Sequence, residues 1–230
     1  MKMLKKITAI LFAAVIVAGT ISPLTAEAAV KKPGNCRFAG WYDSTFTSCY
    51  IQWDAVKDAD VYEILYSYTD GSHAKSNDSF KTTYRIKNLA YNHVYQVRVR
   101  AITVINKEIF IGPWSNIAFI TPYPNKVSGK AIGTVSNPGM KINWNIIYGC
   151  NGYNVFLTTS PKGKWYWNQS TNTKATATSA AIKKFRGSKL KPYTNYYVRV
   201  VTRRKRNGVF CTVPVPRADY WQARFLLRRG

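Results

Sequence analysis

A tryptophan followed nine residues later by a tyrosine occurs at Trp53 and Tyr62 and again at Trp144 and Tyr153, and both residues recur at an offset of 91. Around the first pair stand Cys49-Tyr-Ile-Gln-Trp53 and Val61-Tyr-Glu-Ile-Leu-Tyr-Ser67, in which Tyr62, Ile64 and Tyr66 alternate with other residues. Around the second stand Met140-Lys-Ile-Asn-Trp144 and Gly152-Tyr-Asn-Val-Phe-Leu157. A period of two marks strands with one buried face. A third match, Leu89 through Val99 with Leu190 through Val200, has an offset of 101, so the second copy carries 101 − 91 = 10 extra residues, which map near Thr159 to Thr178. A repeat of this length is too long for a solenoid and predicts two tandem all-β domains of short strands. Their joint is Thr121-Pro-Tyr-Pro-Asn125.

The front of the chain has Lys2, Lys5 and Lys6, then an apolar run from Ile7 to Gly19, then Pro23 and the small-x-small site Ala26-Glu-Ala28. That is the pattern of a secretory signal peptide removed after Ala28. The run is shorter than the roughly 20 residues that span a bilayer, and no later run approaches that length. The expected organisation is a signal peptide over 1–28, domains over 29–121 and 122–216, and a basic tail over 217–230. The expected place is secreted, extracellular or cell-surface associated, with no transmembrane span. All four cysteines, Cys36, Cys49, Cys150 and Cys211, lie in the exported part, where an even number predicts two disulfides with three pairings open. With no C-x-x-C pair and only His73 and His93 as histidines, neither a metal nor another cofactor is expected.

The formal charge is +24, from 34 Lys+Arg against 10 Asp+Glu, and it is unevenly placed. Residues 29–121 hold 11 basic and 8 acidic residues, whereas 122–216 hold 16 basic and none acidic. A domain without carboxylate or histidine has neither the paired acids of a glycosidase nor the triad of a serine hydrolase. The first domain has Asp54, Asp58, Asp60 and Glu63 with His73 and His93, but Asp54, Asp58 and Asp60 cluster around the turn between two strands, where Asp is favoured for turn chemistry alone. No phosphate-binding, dinucleotide-binding or nucleophile-elbow motif occurs. Enzymatic activity is not expected; an enzyme or effector with its site at this acidic turn, or a purely structural spacer, are the alternatives to a binding role.

The Trp on the second strand, the Tyr-x-Ile or Tyr-x-Val third strand, and Leu-x-x-x-x-x-Tyr-x-Val-x-Val resemble fibronectin type III domains over residues 33–121 and 124–216. The first copy also has the Gly112-Pro-Trp-Ser115 that opens the last strand in that family; the second lacks it. The resemblance implies two immunoglobulin-like β-sandwiches with tyrosine corners at Leu89 and Tyr95 and at Leu190 and Tyr196. It places Cys36 and Cys49 on neighbouring strands, and Cys150 and Cys211 at one end of the second sandwich, implying Cys36–Cys49 and Cys150–Cys211 bridges. It also implies a non-catalytic binding or adhesion role like that of the accessory modules of bacterial surface and polysaccharide-acting proteins. Trp53, Tyr95, Trp144 and Tyr196 are expected in the cores.

In the second domain, alternation sends Tyr196, Val198 and Val200 inward and Tyr197, Arg199, Val201 and Arg203 outward, beside Phe156. The insertion adds Trp165 and Trp167 on one side of its strand. Aromatic rings interleaved with Arg stack flat ligands and hold anions. Two basic segments, Lys183 to Lys191 and the hairpin Arg203-Arg204-Lys205-Arg206, lie at opposite ends of the sandwich in the topology that the resemblance implies. That spacing fits a field along a polymer better than one compact pocket. The expected partner is an anionic cell-surface polymer or glycan, with nucleic acid the less favoured polyanion.

Overall fold

A computed structural model describes residues 30–226 apart from 43–44, 125–126, 169–172, 207–208 and 213–222, with side chains described up to residue 204. The expected signal peptide lies outside the described residues. The first domain is built from β1 (Arg37–Trp41), β2 (Cys49–Gln52), β3 (Val61–Tyr68), β4 (Lys75–Ser79), β5 (Thr83–Ile86), β6 (Tyr95–Ile105), β7 (Glu108–Ile111) and β8 (Ala118–Ile120). One sheet runs β1-β2-β5 and the other β4-β3-β6-β7, with β8 also pairing β6. The second domain follows with β9 (Ser128–Gly133), β10 (Pro138–Asn143), β11 (Gly152–Thr158), β12 (Tyr166–Trp167), β13 (Ser179–Ile182), β14 (Lys184–Phe185), β15 (Ser188–Lys189), β16 (Asn195–Arg206), β17 (Val209–Thr212) and β18 (Ala223–Leu226). Its sheets run β9-β10-β13 and β12-β11-β16-β17, with β18 on β16 and β14 paired with β15. These are two tandem β-sandwiches with the fibronectin type III strand order.

The period-two residues close the cores. Trp53, Tyr62, Ile64, Tyr66, Tyr95, Val97 and Val99 are buried together in the first, and Trp144, Tyr153, Val155, Leu157, Tyr196, Val198 and Val200 in the second. Both tyrosine corners are formed: the Ala90 amide donates to Tyr95 Oη and the Lys191 amide to Tyr196 Oη, each at 2.9 Å. A second pair of ties repeats at the 91-residue offset. The Val56 amide donates to Tyr62 Oη at 2.8 Å and the Ile147 amide to Tyr153 Oη at 2.7 Å, while each phenol ring packs against its tryptophan at 5.4 and 5.3 Å between centroids. Each domain thus spends two phenols on backbone donors that the loops leave without strand partners.

The last strand is split in both domains. β7 covers one half of β6 and β8 the other, with Gly112-Pro-Trp-Ser115 between them. There the Ser115 amide donates to Val99 O at 2.7 Å and the Val99 amide to Ser115 Oγ at 3.0 Å. β17 and β18 divide β16 the same way, with Tyr196 opposite Phe225 as Tyr95 is opposite Ile120. Residues 217–230 therefore contain a strand of the second sandwich where a separate tail was expected.

Among the described residues no disulfide is formed. The expected Cys36–Cys49 bridge fails on register. The β1–β2 pairing sets Trp41, not Cys36, opposite Cys49, and Arg37 opposite Gln52. Cys36 therefore lies about four residues further along β2, roughly 13 Å away at strand rise, beyond the reach of a disulfide. Both sulfurs are instead core atoms, and burial pushes the Cys49 thiol up to about 12. Cys150 is buried as a thiol with Sγ 3.8 Å from Ala175 O, and the Cys211 side chain lies outside the described residues. Its backbone pairs with Arg204 across β16.

The two domains meet closely. The Val94 amide donates to Tyr148 O and the Tyr148 amide to Asn92 O, a short parallel bridge that carries Val94 into the second core. Alongside it His93 is stacked between Tyr68 and Tyr148, at 4.1 and 5.0 Å, and His73 lies 4.4 Å from Tyr68. Further along, Phe46, Tyr123 and Val201 form a small third core, and Thr202 Oγ1 donates to Pro122 O.

Candidate binding face

The outer face of the β12-β11-β16 sheet is organised by register. Trp167, Phe156 and Arg199 lie in one row across three strands, because Phe156 pairs with both of the others. In the next row Thr158 pairs with Tyr197, and Trp165 precedes Tyr166, the partner of Leu157. The Arg199 guanidinium sits 4.0 Å from the Trp165 ring centroid. Trp167 is 46% exposed, so this row meets solvent as an indole beside a stacked cation. Phe156, Trp165, Trp167, Tyr197 and Arg199 are therefore neighbours on one face.

The same strand carries its more distal residues elsewhere. Val201 has the outward parity of Arg199 but is buried, because Phe46 of the first domain and Tyr123 of the joint cover it. Arg203 is buried too and donates to Thr173 O at 2.8 Å, a carbonyl supplied by the insertion. Arg204 donates to Gly149 O at 2.6 Å and lies 4.7 Å over the Phe119 ring of β8. Burial holds its guanidinium below the ordinary arginine value. These two arginines clamp loops and the domain joint. The side chains of Lys205 and Arg206 lie outside the described residues.

A second cationic cluster joins Arg186, from the Lys183–Lys191 segment, to Tyr166, a meeting that the sequence did not suggest. On the other face of the β12 edge, the Tyr166 ring has Arg186 at 4.6 Å and Lys164 at 5.6 Å, and packs edge-on against Phe185. Arg186 and Gly187 form the two-residue turn of the β14–β15 hairpin, both at positive φ as that turn type requires. The signal was in the sequence as the aromatic between two tryptophans, but its cation arrives from a hairpin only four paired residues long. The Arg186 turn and the Arg203 clamp sit at opposite ends of β16.

The first-domain carboxylates do not converge. Asp54 meets Arg37 at 3.6 Å and accepts from Asn35; Asp60 accepts from the Val104 amide at 2.7 Å; Glu63 binds Arg100 at 2.6 Å and Ser76 Oγ at 2.7 Å. Asp58 occupies a turn at positive φ. Among the described residues no three His, Cys, Asp or Glu side chains are grouped as metal ligands would be, and no helix is long and apolar enough to cross a membrane.

No family model matches the sequence, and no curated protein does. Solved structures do. A crystal structure of the FN1–FN3 domains of chicken CNTN1 aligns over 87% of this chain and 65% of its own length, at 15% identity and a TM-score of 0.32. A two-domain fibronectin type III segment of chicken tenascin aligns over 80% of this chain and 99% of its own, at 14% identity and a TM-score of 0.35. A structure described as a myokine aligns over 41% of this chain and 99% of its own, at 18% identity and a TM-score of 0.34.

Proposed function

We propose that this chain is an exported, non-catalytic binding protein whose second domain holds an anionic polymer or glycan of a cell surface. The observation that carries the reading is the Arg199–Trp165 stack beside exposed Trp167, in a domain with 16 basic residues and no acidic one. A sugar or base ring lies flat on the indole, while the Arg199 guanidinium attracts phosphate or carboxylate. Lys164 and Arg186 around Tyr166 extend the positive surface to the sandwich edge. The separate engagement of Asp54, Asp60 and Glu63 favours turn and ion-pair roles for the first-domain acids over catalysis.

A pulldown of the mature chain on teichoic acid, acidic glycans and DNA across a salt series tests the reading. Retention that falls steeply with salt is expected. Reversal of Lys164, Arg186 and Arg199 to Glu is expected to weaken it more than the same change at Lys57 and Lys107. Salt-insensitive retention that disappears with Trp165→Ala and Trp167→Ala instead indicates neutral sugar stacking, and retention on none of the polymers indicates a structural spacer.

A further inference from the structure

The end of the second sandwich away from the first domain is built from turns. β10 starts at this end with Pro138 and closes at Asn143, from which the chain passes to Tyr148 at the domain seam. Ile182 at the close of β13 lies opposite Met140, and Thr158 at the close of β11 lies opposite Tyr197 near the start of β16. The Leu190 amide donates to Lys183 O at 3.3 Å and ties the two sheets together there. The β9–β10 turn, the β11–β12 turn, the β14–β15 hairpin and the turn into β16 therefore share one end, remote from the seam.

This end exposes lysines around two apolar side chains. Lys162 stands in the β11–β12 turn, Lys183, Lys184 and Lys189 in and before the hairpin, and Lys191 after it, all exposed. Val135 in the β9–β10 turn and Tyr193 in the turn into β16 are 43% and 54% exposed. Two observations set the end apart from an ordinary solvated surface. Lys184 is paired in register with Lys189 in a hairpin of only two pairs, and like charges directly opposite destabilise a ladder. Residues 122–216 supply no carboxylate to offset that repulsion. Tyr193 also holds φ +55, a strained conformation for a bulky side chain. Phe46 has a similar φ of +57, but its ring is buried in the third core, whereas the Tyr193 side chain stands largely in solvent. Strain of this kind collects where a side chain is held ready for a partner.

We propose that this end docks on a membrane surface rich in anionic phospholipid, independently of the Trp165 face. The ammonium groups of Lys183, Lys184, Lys189 and Lys191 lie among headgroup phosphates, with their alkyl stems along the apolar boundary. Tyr193 enters the interface with its hydroxyl at headgroup level, the position amphipathic rings favour. Val135 adds apolar area from the neighbouring turn. An exposed valine offers nothing to a phosphate chain or an acidic sugar but is buried at a bilayer interface, which favours lipid over a soluble polyanion.

The test is co-sedimentation of the full mature chain with phosphatidylcholine vesicles, without and with about one-third phosphatidylglycerol. Sedimentation with the anionic vesicles alone is expected. Lys184→Gln with Lys189→Gln is expected to weaken it roughly tenfold without lowering the melting temperature, because the change removes a repulsion. Lys57→Gln with Lys107→Gln, an equal loss of charge in the first domain, is expected to leave it nearly unchanged. Tyr193→Asn, which suits the left-handed backbone, is expected to weaken sedimentation roughly threefold while the melting temperature holds or rises. Trp165→Ala with Trp167→Ala leaves vesicle binding intact, which separates this surface from the polymer-binding face. Equal binding to neutral vesicles, no sedimentation with either kind, equal losses from the two lysine pairs, or a loss that follows Trp165 and Trp167 instead overturns the proposal. Lost retention on teichoic acid in the Lys184 and Lys189 variant, with vesicle binding intact, overturns the lipid assignment in favour of a soluble polymer.

Discussion

Replacing Tyr153 by Phe removes one oxygen and leaves the ring against Trp144. That oxygen accepts the Ile147 amide at 2.7 Å in a buried contact, and the tyrosine itself is fully buried. The variant forfeits a net hydrogen bond worth about 0.5–1.5 kcal/mol and leaves a desolvated N–H behind, for a total cost of about 2 kcal/mol. The equivalent Tyr62→Phe frees the Val56 amide in a partly exposed contact that water reaches, so about 1 kcal/mol is expected there. The same lower figure applies to Tyr196→Phe at the corner, where the Lys191 amide is also partly exposed. Denaturant titration followed by tryptophan fluorescence reads all three, because each domain has its own core indole. In thermal melts the Tyr153 variant is expected to lose roughly 8–15 °C and the others roughly half that. A Tyr153→Phe midpoint equal to the parent, or a smaller loss than at Tyr62→Phe, would refute the reasoning.

Burial and the charge of His73 hold the His93 imidazole below its ordinary value, with Asp70 opposing. The folded chain therefore binds fewer protons there than the unfolded chain, and the associated stability is complete above about pH 6.5 and lost as pH falls below it. Because Tyr68, Tyr148 and Asn92 are the other groups around the ring, His93→Phe is expected to keep the stack and flatten the melting temperature between pH 7 and 5; an unchanged slope would rule out His93 as its source. Gly149 has φ +79 with Thr69 Oγ1 only 2.6 Å from where a Cβ would stand, so Gly149→Ala is expected to cost about 1–3 kcal/mol, measured by calorimetry. Truncation after Pro216 removes β18 and is expected to lower the second domain's melting transition while leaving the first nearly unmoved; a full-length melting profile from the truncated chain would show that β18 is dispensable.

What the sequence made legible was the residues that alternate: Trp53, Tyr62, Tyr95 and their partners 91 or 101 positions on were readable as buried because a strand with one wet face advertises itself. β4 (Lys-Ser-Asn-Asp-Ser) and β9 (Ser-Gly-Lys-Ala-Ile-Gly) have no apolar face, being held by a neighbour on one side only, and hydrophobic periodicity is blind to them. β18 was hidden for another reason, the absence of a Gly-Pro-Trp-Ser marker ahead of it. On the outer face of the second domain, parity placed Trp165, Trp167, Phe156 and Arg199 together, and local register makes them neighbours. It offered no warning about Val201, Arg203 and Arg204, whose surroundings come from Phe46, Thr173 and Gly149, contacts 30 to 155 residues distant in sequence that no local pattern encodes. The cysteine pairing shows the same gap, since adjacency of strands was readable and the register between them was not.

Val94 belongs to the first domain by sequence and to the second by packing. Cutting the chain at the Pro-rich joint would therefore leave the isolated second sandwich with a cavity the size of a valine side chain, lined by apolar atoms and opened to water. It would leave the first sandwich with that same side chain and Phe119 stranded on its surface. Empty apolar volume of this kind costs about 24 cal/mol per Å³. The joint from Thr121 to Asn125 is thus a seam in the polypeptide but not in the hydrophobic interior, and fragments made there inherit a wound and an adhesive patch that fit only each other.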